Sequence, residues 1–401
     1  VPKKSDIFFS SKGHDVPGLY AVLIGLGLLP FSKIHTLRRL GGLPGHPDVS
    51  TPHIDVNSGS LGMGISKAKG IIQADRLDDR HRHIFVMTGD GELQEGQIWE
   101  SLQGAANARM SELTVIVDQN KIQSDHWVND TSPLGDIEAR FKSFGWLVEQ
   151  CDGHQHSAIA DCLRSCRQHS GPSVLIANTV KGHGVSFMEP THLGHFDFYQ
   201  YHSGAPSAED YKEALLELKN IANKQLKAVN MSELSLEKPS VPPKHPTKIK
   251  SDTLISAYSR AIVDVGKRHE QITVLDADLV LDCGLVDFRA AFPDRYFECG
   301  ISEMDMVSQA GGLALTGKLP IVHSFACFMT TRANEQIYAN ATENTKIIYV
   351  GSLAGLLPAG TGHSHQSVRD IALMSCIPNM MAFEPYSPDE MIKALDWMVY
   401  D

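Results

Sequence analysis

Two oxygen-bearing side chains occupy matching places in residues 84–125, IFVMTGDGELQEGQIWESLQGAANARMSELTVIVDQNKIQSD. Asp90 follows an apolar, β-branched run that closes in Thr88-Gly89. Asn120 follows a second apolar run, 113–117, that closes in Asp118-Gln119. Side chains roughly thirty residues apart, each at the carboxyl end of a strand, can meet at the sheet edge where open α/β folds bind ligands. A carboxylate and an amide oxygen suit Mg²⁺ or Ca²⁺, and Ile122 supplies a backbone carbonyl toward near-octahedral coordination. Gly89 and Gly91 let the backbone approach a diphosphate closely. A lone Gly-Asp-Gly turn often only caps a helix; the pairing with Asn120 is what points to a metal–diphosphate site.

Further candidates lie elsewhere in the chain. Glu303 precedes a helical pattern, where an acid in the first turn is favoured by the helix dipole. Phe325 and Phe328 are ordinary core residues when considered singly. Each of His14, His46, His202 and His365 is by itself an unremarkable histidine. Cys162 and Cys166 can share a helix face as half-buried small residues.

The elements that must hold these residues alternate. Helical patterns cover 19–29, 65–77, 95–108, 158–168 and 208–227, and strand-like runs cover 84–87, 114–117 and Ser173–Asn178. Such alternation implies βαβ units and a mostly parallel sheet flanked by helices. Residues 235–250, with four prolines and several lysines, read as a linker. A second alternation follows: helix 254–267, strand 272–275, helix 304–316, strand 320–324, helix 331–340 and strand 346–350, continued by 371–374 and 380–383. The expected organisation is therefore two α/β domains, 1–234 and 251–401, joined by the linker.

Composition narrows the function. The chain has 401 residues, 42% of them hydrophobic, and a formal net charge of −11. That charge, without any Lys/Arg run, argues against nucleic acid as a partner. The longest apolar run, 19–31, contains glycines and a proline and is too short to span a bilayer. No signal peptide or lipidation motif is visible, so no membrane association is expected. Seven cysteines without a CxxC fit reduced thiols in a cytoplasmic enzyme. No GxGxxG follows a strand and opens a helix, which disfavours a dinucleotide enzyme.

The motif from Gly89-Asp90-Gly91 to Asn120 resembles the thiamine diphosphate motif, and its surroundings are similar to those of the transketolase family. The matching segments, in the family's order, are Ser11-Lys12-Gly13-His14, Gly45-His46-Pro47, Ser58-Gly59-Ser60-Leu61-Gly62-Met63-Gly64, Leu93-Gln94-Glu95-Gly96, Thr179-Val180-Lys181-Gly182, His202-Ser203-Gly204-Ala205-Pro206, Gly300-Ile301-Ser302-Glu303, Ser324-Phe325-Ala326-Cys327-Phe328 and His363-Ser364-His365-Gln366. The resemblance implies two thiamine diphosphate-binding-fold domains. The first would hold the diphosphate through Mg²⁺ or Ca²⁺, with Asp90, Asn120 and Ile122 on the metal. The second would hold the aminopyrimidine, with Glu303 hydrogen-bonded to the ring to favour its imino tautomer, and Phe325 and Phe328 against it. Gly59, Ser60, Leu61, Gly62 and Gly91 would line the cofactor, and Glu95 would belong to the region coupling the two active sites of a dimer. By the same resemblance, His14 and His46 contact substrate oxygens and the cofactor, His202 approaches the diphosphate, and His365 orients the substrate carbonyl. A zinc site from His192, His195 and His202 is a weaker alternative.

The resemblance further implies a homodimer with active sites between subunits. The reaction would move a two-carbon ketol unit from a ketose donor to an aldehyde acceptor. A carboligase or decarboxylase acting on a 2-oxo acid is the alternative within enzymes, and a catalytically idle binding or regulatory protein the alternative outside them. Several departures fall where the family reads its substrate. Leu353 replaces a histidine, Thr361-Gly362 an Asp-Gly, Ile255 an arginine and Val280 a serine. Losing charge-assisted hydrogen bonds of roughly 1.5–3 kcal/mol each predicts a non-phosphorylated or more apolar substrate. The family's aromatic three positions beyond Phe328 is here Thr331. The family's N-terminal helix and third, C-terminal domain are not seen in this sequence, so either the sequence is incomplete or a partner subunit supplies the latter.

Overall fold

The computed structural model describes residues 6–195, 197–236, 253–356 and 359–400. The first half forms a five-stranded sheet from β1 (Ile7–Ser10), β2 (Ile84–Gly89), β3 (Leu113–Gln119), β4 (Leu147–Asp152) and β5 (Ser173–Asn178), in the order β1-β2-β3-β5-β4. Every pairing is parallel. The second half forms a four-stranded sheet from β6 (Ile272–Asp276), β7 (Tyr296–Glu298), β8 (Leu319–Phe325) and β9 (Ile348–Ser352), in the order β7-β6-β8-β9, again wholly parallel. The chain is thus α/β, with two parallel sheets flanked by helices.

Burial explains why the central strands are continuous apolar runs. Helices cover both faces of a parallel sheet, so neither face can be polar. In the first sheet Ile84, Val86, Leu113, Val115 and Val117 pack against Ile65, Ala68 and Ile72 of helix Gly64–Leu77 and against Ile98, Leu102 and Ala105 of helix Gly96–Asn107. In the second sheet Ile272, Val274 and Ile321 meet helices Leu254–Arg268 and Pro388–Tyr400 on one side. Leu275 and Val322 meet helices Glu303–Leu315 and Asn334–Thr342 on the other.

The structure departs from the sequence expectation in several elements. The first helix is Val16–Gly25, not 19–29; Pro17 suits its opening turn, and the chain leaves the helix before Gly27, whose φ is +70°. β1 and β7 are only four and three residues long, too short for a periodic signal. β4, LVEQCD, is a partly exposed edge strand without an apolar run. The helix expected over 331–340 is two helices, Ala326–Arg332 and Asn334–Thr342, broken at Ala333. Residues 371–374 fall in helix Asp370–Met374, whereas 380–383 form no regular element. The expected linker lies outside the described residues from 237 onward.

The carboxyl edges of the two sheets face one another. Ile301 N donates to Gln94 Oε1 at 2.8 Å, and Ser124 N donates to Asp278 Oδ2 at 3.3 Å. Arg289 approaches His126 Nε2 at 3.2 Å. Loops from both sheets therefore line one cleft.

Candidate active site

The parallel register places the first motif. Gly89 of β2 pairs with Asp118 of β3, so Asp90 and Asn120 leave adjacent strands at the same edge. Asp90 Oδ1 accepts from Gly91 N at 2.9 Å and Oδ2 from Lys121 N at 2.6 Å, while Asn120 Oδ1 accepts from Ile122 N at 3.0 Å. Burial pushes the Asp90 carboxyl up to about 6, against those two amide hydrogen bonds. A divalent cation on its oxygens would reverse that effect.

Two lysines not singled out from the sequence stand at this edge, Lys12 buried and Lys181 half-buried. Lys12 pairs with Asp118 at 2.5 Å; burial works against its charge, but Asp118 and Asp15 hold it above the usual lysine range. Lys181 donates to Gln123 O at 2.6 Å, reaches Ile122 O at 3.4 Å and lies 2.9 Å from His202 Nδ1. Burial brings Lys181 down to about 8, and Asp90 is the foremost charge opposing that. The rings of His14 and His202 are 5.1 Å apart. Burial takes His14 well below the ordinary range and His202 down to about 3, with Lys181 and Lys12 adding to the effect on both. Both histidines are neutral at pH 7, and the lysines carry the positive charge.

The glycines near His46 are needed for close approach. A Cβ on Gly59, whose φ is +110°, would lie 2.6 Å from His46 Cδ2, and one on Gly13 would lie 2.6 Å from the Gly59 backbone. This packing carries Ser60, Leu61 and Gly62 to Glu95: a Gly62 Cβ would be 3.0 Å from Glu95 Cβ.

From the second sheet, Glu303 opens helix Glu303–Leu315 and is 4% exposed. Burial raises its carboxyl to about 7. Phe325, at the end of β8, and Phe328, in the next helix, have ring centroids 6.0 Å apart, and each ring contacts His365, at 5.9 and 5.2 Å. His365 stacks on His46 at 5.0 Å, joining the two units. His46 Nδ1 also lies 2.5 Å from Thr361 O. Burial lowers His46 and brings His365 down to about 3.

The predicted site residues thus fall in one cleft: the Asp90 and Asn120 loops and His14/His202 at one end, Glu303 with the phenylalanines at the other, and His46/His365 alongside. Arg332 was not anticipated. Four residues after Phe328 on the same helix, its guanidinium lies 5.1 Å over that ring and forms an ion pair with Glu95. The i, i+4 spacing from Phe328 was the available signal.

The departures scatter. Thr361 meets His46 through its backbone, whereas Val280 is buried in the second core with Cys283 and Leu285. Ile255 lies in a groove with Ser259, Arg260 and Asp287, and Leu353, just past β9, has a φ of +58°. The weaker zinc alternative finds no support: His195 pairs with Asp130 at 2.9 Å and His202 with Lys181. Among the described residues no group of three or more His, Cys, Asp or Glu could hold a metal, and no helix is long and apolar enough to cross a membrane.

The residues present fit a metal-bound diphosphate at one end and an aminopyrimidine at the other. Asp90, Asn120 and the Ile122 carbonyl offer oxygen donors, and the ammonium groups of Lys12 and Lys181 lie at the same edge. The Ser58 hydroxyl, beside the Gly59 loop, is buried without a hydrogen-bond partner among the described residues.

Comparison with known proteins identifies the family. The family model described as "Transketolase, thiamine diphosphate binding domain" matches residues 3–212, and "Transketolase, pyrimidine binding domain" matches 251–401. Transketolase-like protein 2 of Mus musculus is 30% identical over 403 residues, covering 95% of this chain and 61% of that protein. A 6-deoxy-6-sulfo-D-fructose transketolase subunit of Clostridium sp. (strain MSTE9) is 40% identical over 182 residues, covering 45% of this chain and 66% of that protein. The crystal structure of transketolase from Campylobacter jejuni aligns with 99% of this chain and 68% of its own at 21% identity, with a TM-score of 0.46. The chain spans about three fifths of the length of the full-length relatives it matches, 61% for the mouse protein. Both domain models fall on the two sheets whose edges form the cleft, and the chain belongs to the transketolase family.

Proposed function

We propose that the chain is the cofactor-binding part of a thiamine diphosphate-dependent enzyme of the transketolase type. It transfers a two-carbon ketol unit from a ketose donor to an aldehyde, in a pocket altered from the usual sugar-phosphate one. The observation that supports this most is one cleft with Asp90 and Asn120 at one end and Glu303 at the other. When bound, thiamine diphosphate supplies an electron sink for breaking a C–C bond beside a ketone. Asp90, Asn120 and the Ile122 carbonyl hold the Mg²⁺ or Ca²⁺, and Lys181 with His14 and His202 faces the diphosphate. Glu303 hydrogen-bonds the aminopyrimidine ring, which its high pKa suits. Phe325 and Phe328 wall the ring from water. Neutral His46 and His365 orient substrate oxygens and relay protons.

The departures support this substrate class: Ile255 and Val280 stand where the family has an arginine and a serine that contact phosphate, Thr361 where it has an aspartate that reads donor hydroxyls, and Leu353 where it has a polar histidine. A relative similar over 182 residues is named for a sulfo-ketose, which supports a ketose without the ordinary phosphate. The enzyme is cytoplasmic, with all seven cysteines free. It works as a homodimer that exchanges between subunits the contacts seen here within one chain.

Calorimetry with thiamine diphosphate and Mg²⁺ tests the cofactor; absence of binding would sink the reading. A panel of ketose phosphates, free and sulfonated ketoses and 2-oxo acids tests the substrate; vigorous turnover of ordinary sugar phosphates refutes the altered pocket, and turnover of 2-oxo acids alone selects the carboligase alternative. Mixing Asp90→Ala with Glu303→Gln subunits tests the exchange. An exchanged dimer regains activity in its one intact site, whereas sites confined to single chains stay dead.

A further inference from the structure

Glu303 does not stand alone. Arg332 Nη1 lies 3.4 Å from Glu303 Oε2 and closer still to Glu95, while Nη2 donates to Ser60 Oγ at 2.8 Å and to Leu61 O at 2.9 Å. One planar guanidinium thereby joins the loop expected to carry the thiazolium, the acid that opens helix Gly96–Asn107 and the acid that opens helix Glu303–Leu315. Lysine has no fork with which to span both edges. Helix Ala326–Arg332 brings Phe328 and Arg332 to the cofactor cleft from one face.

The charge count gives the arrangement a direction. Two buried carboxyl groups share one cation, so the three groups have room for one proton at neutral pH. Arg332 sits nearer Glu95, which makes Glu95 the ionised partner and leaves the proton to Glu303. The other titratable groups around them are Glu92, which bears on Arg332 from the first unit, the Cys327 thiol, and His365. Burial keeps the thiol and the imidazole neutral.

We propose that Arg332 is a positioning residue: by neutralising Glu95 and pinning the Ser60–Leu61 loop, it sets the proton affinity of Glu303 and aims it at the aminopyrimidine ring. This rests on the thiamine diphosphate reading above.

The test uses the full chain with thiamine diphosphate and Mg²⁺. Calorimetry gives cofactor affinity, and circular dichroism of the bound aminopyrimidine tautomers gives a pH midpoint. In R332M the unneutralised Glu95 pushes that midpoint up by more than one pH unit and weakens cofactor binding about tenfold. The double variant R332M/E95Q removes the charge that Arg332 neutralised and returns the midpoint toward wild type, a rescue that a purely structural arginine does not give. R332K shifts the midpoint less but still binds more weakly, and it carries the test if R332M does not fold. A wild-type midpoint and affinity in R332M, or in R332K where only that variant folds, overturns the proposal. So does a shift in R332M that E95Q fails to reverse, or a loss confined to substrate KM. No cofactor binding by the wild-type chain overturns the functional reading itself, and the proposal with it.

Discussion

At the edge of the five-stranded sheet, Lys12 is buried beside Asp118, and both Lys12 and the half-buried Lys181 lie within the field of Asp90. At the edge of the four-stranded sheet, Glu303 is buried beside one guanidinium that already serves Glu95. Desolvation acts at both ends against whichever form is charged. The outcomes differ because the counter-charges differ. Lys12 keeps its charge because Asp118 and Asp15 outweigh burial. Glu303 has no cation to itself, and its carboxyl rises to about 7. One end holds positive charge beside carboxylates, and the other holds a proton on a buried carboxyl.

The largest expected effect is at the second end. Glu303→Gln keeps the shape of the side chain but removes its acid, so proton exchange at C2 of the bound thiazolium should fall about 10²–10⁴-fold with cofactor affinity little changed. Deuterium exchange followed by NMR measures this, and an unchanged rate removes Glu303 from the chemistry. At the first end, Asp90→Ala should weaken metal-dependent cofactor binding by on the order of 3 kcal/mol, about 100-fold. Calorimetry that found equal affinity at saturating Mg²⁺ would break the contrast. Lys181→Met should cost less, roughly 1.5–2 kcal/mol or about 10–30-fold in affinity, and weaken binding of free pyrophosphate in parallel. If pyrophosphate binding is unaffected, Lys181 only braces the loop at Gln123.

The shallowest effect, about 1 kcal/mol for each pH unit, concerns stability. Glu303 has a raised pKa in the fold, so the native state binds its proton more tightly than the unfolded chain. Its contribution is therefore fully present below the ordinary carboxyl range and is lost as pH rises toward about 7. Denaturant unfolding of the cofactor-free protein should show a fall on the order of 1 kcal/mol per pH unit across that window, absent in Glu303→Gln. Equal slopes in the two proteins would mean that Arg332 and Glu95 dominate the titration instead.

Much of this site was legible without coordinates. Asp90 and Asn120 announce themselves because each follows a buried parallel strand, whose apolar run is forced by burial on both faces. Glu303, Phe325, Phe328 and the four histidines were found through their motifs. β1, β4 and β7 were not found: two are too short to show a period, and the third is a half-exposed edge. The break at Ala333 was missed because nothing in the helical pattern over 331–340 marks it.

The sequence by itself determined the two α/β halves, the oxygen donors at one strand edge and the acid at the start of one helix, since those depend on periodicity and short-range order. Only the tertiary structure decided which charges are neighbours. Lys12, Lys181 and Arg332 look like ordinary surface cations in the chain, yet each is held against groups from distant segments, Arg332 against Leu61 across 271 positions. Desolvation and ion pairing act through space, so which end of the cleft keeps its charge and which keeps a proton is settled only when the two sheet edges meet.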